Sequence, residues 1–427
     1  MTPHVLPTLR LLCAMALTCG SAWTAGDFYL RSGDRVVFYG DSITDQRLYT
    51  VLTEDFVVTR YPKLDVAFIH SGWGGDRVSG GGGGPIQVRL QRDVIAYRPT
   101  VMTIMLGMND GQYRPETEET DKVFFDGYKN IVNTVRAALP NIRITAIEPS
   151  PYDDVTRAPM FPGGYNAVLE HFGKWIAAYA KDAKLDVADL NTGVVEMLTK
   201  AKSQQPDVAQ KIIPDRVHPE IAGHLIMAEQ LLKAWNAEPV VASVAIGIAD
   251  DKLRVETSDH AKITGLAYGD RKSIEWTELD DALPLPFASW TQGNAAMALA
   301  IKSSDVAAAL NAEPLRITGL SDHPYVLSID GQTIGTFDSN ALASGINLAV
   351  LDTPMTKQAK RVFDLTVQHT RIHNDKWRSL QVPLSEYNLP ETKSAMDALD
   401  ALDTTLIRKQ HEAAQPQPHH FELAPAA

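Results

Sequence analysis

The chain has 427 residues, 44% of them hydrophobic and 22% charged, an ordinary globular composition with apolar material for a large core and a length that suits two to three domains. Its net charge of −12 excludes the basic face with which a nucleic-acid protein meets phosphates, and it excludes a polybasic membrane-surface segment. Beyond residue 30 no window of about 18 apolar residues occurs, so no membrane span is expected there; the sequence carries no signal of oligomeric state. In chain order, residues 1–10 hold one fixed positive charge, 11–19 form a compact apolar run, and Gly20, Ser21, Ala22 and Ala25 are small. This grammar predicts a secretory signal peptide over 1–25, cut after Ala22 or Ala25, and a periplasmic or secreted protein. Cys13 and Cys19 both lie in it, so the processed chain has no thiol nucleophile and no disulfide.

From residue 34 to about 235 short β-rich runs alternate with helical patterns. Strands are expected at 35–39, 66–70, 101–106, 142–147 and 185–188, and helices at 45–58, 86–96, 123–139, 165–183 and 219–235. Such alternation implies a parallel sheet with helices on both faces, and ligands in such sheets bind at the carboxyl ends of the strands. Near Ala237 the pattern turns β-like, with strands expected at 240–248, 252–256, 315–320, 325–329 and 332–337 and an Asp330-Gly331 hairpin turn. Thr353-Pro354 opens a helix to about Leu380, a second helical stretch covers 394–413, and the Pro-rich end reads as a loose tail.

Polar clusters follow the strands where a site is expected. Gly40-Asp41-Ser42-Ile43-Thr44 closes the first strand and opens a helix, where an anion is favoured; the same residues also make an ordinary helix cap. His70-Ser71-Gly72-Trp73-Gly74-Gly75-Asp76 follows the second strand and lets a backbone N–H approach a reacting group, or is a flexible turn. Gly107-Met108-Asn109-Asp110 follows the third, offering a side-chain amide to an oxyanion or an Asx turn. Asp215-Arg216-Val217-His218-Pro219 precedes the last helix; a carboxylate three residues before an imidazole can orient it toward Ser42, as in a catalytic triad, or cap the helix.

Together these blocks, GDSIT (40–44), HSGWGGD (70–76), GMND (107–110) and DRVH (215–218), resemble the SGNH/GDSL hydrolase family over about half the chain. The resemblance implies an α/β, flavodoxin-like three-layer α/β/α domain over 27–238. It implies Ser42 as nucleophile, His218 as general base and then acid, and Asp215 as the orienting carboxylate. The oxyanion hole would be the backbone N–H groups of Ser42 and Gly75 and the amide of Asn109, with no metal or organic cofactor. His70 stands where the family's second block usually begins with Asn, and Ile43 replaces the leucine of the family name.

What is implied is a serine esterase acting on a small-molecule or glycan ester, foremost short acetyl esters on carbohydrates. A lysophospholipase or thioesterase and a non-catalytic glycan-binding protein on the same scaffold are the alternatives. The resemblance leaves a β-rich accessory region (239–352), a helical region (353–413) and the tail (414–427) without a role. Trp276, Trp290, Tyr325 and Trp377 are expected in a core rather than stacked on sugars. His369 and His373, one helical turn apart, are set either to share a metal or to face solvent. The helix over 353–380 is expected to pack back on the first domain and wall its cleft.

Overall fold

The computed structural model describes residues 27–426; the predicted signal segment 1–25, with Cys13 and Cys19, lies outside them. Five parallel strands form the centre: β1 (Asp34–Gly40), β2 (Val66–Gly72), β3 (Val101–Met105), β4 (Arg143–Ile147) and β5 (Asp186–Ala188), in the order β2-β1-β3-β4-β5. Val36 to Tyr39 of β1 and Val101, Met102 and Ile104 of β3 are wholly buried, as strands covered on both faces require. Chain direction around the sheet reverses between β1 and β3, which opens a crevice above their carboxyl ends. Flanking helices complete the expected α/β/α architecture: α1 (Ser42–Asp45), α2 (Leu48–Arg60), α3 (Ile86–Asp93), α4 (Glu118–Ala138), α5 (Gly164–Ala183), α6 (Thr192–Gln204) and α7 (Ile221–Ala234), with a short turn of helix over Pro206–Ala209. No described helix is long and apolar enough to cross a membrane.

Two of the helix boundaries that differ from the sequence expectation lie beside the crevice. The helix expected over 45–58 is broken into α1 and α2 by Arg47, whose φ of 58° is left-handed. Expected at 219, the last helix starts at Ile221. Glu220 is its extended cap residue, and the Pro219 carbonyl accepts a hydrogen bond from Gln46 Nε2 (3.1 Å) instead.

The C-terminal half builds two sheets. One runs in the order Ile346–Asn347, Pro314–Thr318, Ser243–Ala249, Lys252–Asp259; the other in the order Ala261–Tyr268, Ile274–Asp280, His419–Pro425, Pro324–Ile329, Gln332–Asp338. The expectation of a loose tail over 414–427 is thereby corrected: its last residues form the central strand of the second sheet, bonded on both edges. Phe421 and Leu423 alternate into the core with no exposure, and Phe421 stacks on Trp276 with ring centroids 5.0 Å apart. Trp276, Trp290, Tyr325 and Trp377 are all buried.

Helix α8 (Pro354–Asp375) begins with a reciprocal Thr353/Thr356 cap and runs on into wider π-helical turns over Lys376–Gln381; α9 (Pro390–Ala413) packs along it. Helix α8 docks on α2 through a buried ionic network. His369 Nε2 lies 2.5 Å from Glu54 Oε1, which also accepts from Gln410 Nε2 (3.0 Å), while Glu54 Oε2 lies 3.1 Å from His70 Nε2. Neither expected reading of the two histidines holds: His369 is 3% exposed and spent on Glu54, and the ring of His373 rests beside Tyr97. The same network accounts for His70, which sits on β2 facing Thr50 and Glu54 rather than the crevice.

Burial pushes the Glu54 carboxyl up, but the His369 charge and the hydrogen bonds from His369 and His70 outweigh it and hold Glu54 well below the usual carboxylate range. Burial also opposes a charged His369, yet Glu54 and Asp403 raise it to about 10. The His369 contribution is therefore fully present below its ordinary pKa of 6.5 and lost as pH rises toward about 10. The Glu54 contribution is present above its ordinary 4.5 and lost in stronger acid. Urea unfolding of the wild type should show stability falling from pH 7 to pH 10, and H369Q should flatten that slope; parallel slopes would refute the pairing. Phe421→Ala should lower stability by about 3–5 kcal/mol in the same measurement, whereas a loose tail predicts no change.

Candidate active site

Strand β1 ends at Gly40, where a Cβ would lie 2.2 Å from Thr44 Oγ1, so glycine alone fits the tight strand-to-helix turn. Asp41 caps α1 by accepting from the Ile43 N–H (3.0 Å), which leaves Ser42 as the first helical residue. Burial raises the Asp41 carboxyl to about 7, which suits a structural cap rather than an acid that must stay charged.

The second element is the loop before α7. Asp215 Oδ1 accepts from the backbone N–H groups of Val217 (2.9 Å) and His218 (2.7 Å), and Arg216, with φ 74°, makes the turn that allows both. Oδ2 of the same carboxylate lies 2.7 Å from His218 Nδ1, and His218 Nε2 lies 2.8 Å from Ser42 Oγ. Burial raises the Asp215 carboxyl, but the hydrogen bonds from His218 and Val217 outweigh it and hold the group below the ordinary value. A charged Asp215 accepts a hydrogen bond from the Nδ1–H, which keeps the proton on Nδ1 and leaves the Nε2 lone pair to accept from the serine hydroxyl.

The third element is the pair of loops after β2 and β3. Gly75 has a left-handed φ of 77°; among the described residues neither its N–H nor that of Ser42 donates to a protein acceptor. Asn109 donates its Nδ2 to the Asp76 carbonyl (3.0 Å) and accepts from the Tyr113 hydroxyl (3.2 Å), which fixes the amide. Asp110 Oδ1 accepts from the Val78 N–H (3.0 Å), so the two loops are tied together.

Sequence reading missed the residue that holds this region. Arg89, wholly buried on α3, donates Nε to Asp76 (2.6 Å) and a further N–H to the Ser71 carbonyl (2.7 Å), and it pairs with Asp93. A signal existed: Ile86, Arg89, Leu90 and Asp93 share one helical face, so an arginine and an aspartate stand where the helix should be apolar. Asp93 also accepts from Trp377 Nε1 (2.7 Å) in the π-helical turns after α8. Next to it, the Arg378 guanidinium lies 3.5 Å from the centroid of the Trp73 ring and 3.4 Å from Asp45 Oδ2.

These elements enclose a cleft of about 500 Å³ lined, among the described residues, by Ser42, Asp45, Gln46, Arg47, His218, Asn374 and Arg378. Two of the seven come from the C-terminal region, which thus walls the cleft as expected. Gln46, Arg47, Asn374 and Arg378 carry no motif and were not legible in the sequence.

Removing Arg89 would leave the buried Asp76 carboxylate without its cation and Asp93 with Arg92 alone. Arg89→Ala should cost about 3–5 kcal/mol in chemical unfolding and raise amide hydrogen exchange over 74–84. Unchanged protection there would show that Arg89 does not hold the Gly75 loop.

The model of the GDSL-like lipase/acylhydrolase family matches residues 38–226. An acetylxylan esterase of Geobacillus stearothermophilus is 26% identical over 226 residues, 48% of this chain and 96% of the relative. Among solved structures, that of a gut microbial diltiazem-metabolizing enzyme is similar over 93% of this chain and 98% of its own, with TM-score 0.79 and 24% identity, which shows that the whole fold, C-terminal half included, recurs. A Geobacillus stearothermophilus acetylxylan esterase structure aligns over 49% of this chain and 97% of its own, with TM-score 0.40 and 24% identity. The crevice, its serine and the family match converge: residues 38–226 form a GDSL-like lipase/acylhydrolase domain, and the protein is a serine ester hydrolase.

Proposed function

We propose that the protein is a short-chain esterase that removes acetyl groups from carbohydrates, with Ser42 as nucleophile, His218 as general base and then acid, and Asp215 as the orienting carboxylate. The observation that carries this reading is the His218 ring, bonded to Asp215 on one nitrogen and to Ser42 on the other, beside a cleft whose lining residues are all polar. His218 takes the Ser42 proton as Oγ attacks the ester carbonyl. The N–H groups of Ser42 and Gly75 and the Asn109 amide receive the oxyanion, each donor contributing about 3 kcal/mol in the transition state. Protonated His218 then releases the alcohol, and a water activated by His218 resolves the acyl-serine.

The substrate class rests on the lining. A lysophospholipase or thioesterase needs an apolar groove for its acyl chain, and the cleft offers charged and amide groups instead. Similarity to an acetylxylan esterase points the same way, and the signal-like segment over 1–25 suits export to the periplasm or beyond, where glycans are met.

Ser42→Ala should lower hydrolysis of p-nitrophenyl acetate by about 10⁴-fold or more, and Asn109→Ala by about 10²–10³-fold. Across acetate, butyrate and octanoate esters kcat/KM should fall with length. A rise with length would favour the lipid-directed reading, and full activity in Ser42→Ala would favour a binding protein.

A further inference from the structure

The cleft holds more positive charge than the chemistry of an ester requires. Arg47 and Arg378 both line it beside Ser42, and their side chains are 27% and 28% exposed. Between them stands one carboxylate. Asp45 Oδ1 is 3.8 Å from Arg47 and Oδ2 is 3.4 Å from Arg378, and Oδ2 also accepts from the Gly74 N–H (3.2 Å). Beyond Asp45 and Arg378, the charged side chains that act most on Arg47 are Arg371 and Asp375. Most guanidinium donors are unspent: among the described residues Arg47 makes no side-chain hydrogen bond and Arg378 makes the single long one to Asp45.

Neither arginine is placed as a loose surface charge. The Arg378 guanidinium carbon lies over the Trp73 indole, and Trp73 meets Trp377 edge-on at 5.2 Å, while Trp377 is anchored on Asp93. Arg47 adopts a left-handed backbone (φ 58°) that a non-glycine residue holds at a cost of about 1 kcal/mol, the kind of local strain that gathers at functional positions. A planar guanidinium presenting free N–H pairs is the side chain best matched to a carboxylate or sulfate.

We infer that Arg47 and Arg378 form a subsite for an oxyanion carried on the alcohol part of the ester, so that the preferred substrate is an acylated acidic saccharide; this rests on the esterase reading above. The C-terminal region thereby contributes to specificity, by adding Arg378 to the cleft lined by Asp45, Gln46 and Arg47 of the α/β half.

The test compares kcat/KM of the full chain on four acetyl esters: a neutral xylo-oligosaccharide, a uronic-acid oligosaccharide, the methyl ester of the latter, and a sulfated saccharide. The carboxylated or the sulfated ester should exceed the neutral one by about tenfold or more, through KM rather than kcat. Methyl esterification should remove the gain, and added salt should weaken it. R378Q and R47Q should each lower the charged-to-neutral ratio severalfold, with R378K keeping part of it. Both substrates are read on one preparation, so the ratio is independent of how much variant folds. Equal rates on neutral and charged esters, or a ratio that R378Q leaves intact, would overturn the subsite while leaving the esterase standing. Loss of neither activity in Ser42→Ala would instead overturn the esterase reading itself.

Discussion

The arrangement depends on one imidazole held between two groups that the chain brings from opposite ends of a domain. His218 has no freedom to turn: its backbone N–H and its Nδ1 both engage Asp215, and its Nε2 engages Ser42, 176 positions earlier. That bridge is possible because β1 and the loop before α7 both open on the crevice created where the sheet reverses direction. Gln46 reinforces it, joining the turn after α1 to the Pro219 carbonyl and, through His224, to α7. The serine turn and the histidine loop are thus fixed against each other twice, once through Ser42 and His218 and once through Gln46.

Much of this was legible in the sequence because it is local. A strand of buried apolar residues followed by Gly, Asp and Ser announces both a sheet edge and a helix start, and an Asp three residues before a His can bond that residue's own backbone and ring. The parallel sheet follows from alternation, and every one of the five central strands lies within a few residues of its expected place. What failed was non-local or masked. Ile274–Asp280 alternates between buried and half-buried residues, but two of its inward positions are Glu278 and Asp280, so the apolar period is broken. The tail strand is brief and follows Pro416 and Pro418, and only the two strands beside it reveal that Phe421 and Leu423 belong to a core. Arg378 has no local signal at all, because its meaning comes from Trp73, some 300 positions away.

The C-terminal half is a structural part of the site. Among the contacts that join it to the elements around the cleft are His369 to Glu54 on α2, Trp377 to Asp93 on α3, and Arg378 to Trp73 in the loop that holds Gly75. Glu54 also receives His70 from β2, the strand that leads into that loop. One buried carboxylate therefore couples the seat of α8 to the strand that precedes a proposed oxyanion donor.

Ionic ties of this kind dock a helix differently from apolar packing. A greasy face can slide by a turn and still bury its area, whereas a slipped α8 would leave Glu54 charged and without its cation in the interior, at a cost of several kcal/mol. The aspartates that hold Arg89 and Trp377 impose the same condition about two turns further along. Asn374 and Arg378 lie between or just beyond these two anchors on the chain, so their distance from Ser42 is fixed by electrostatics that admit one register. A slip of a single turn, about 5 Å, would break both anchors and lift Arg378 from the Trp73 ring.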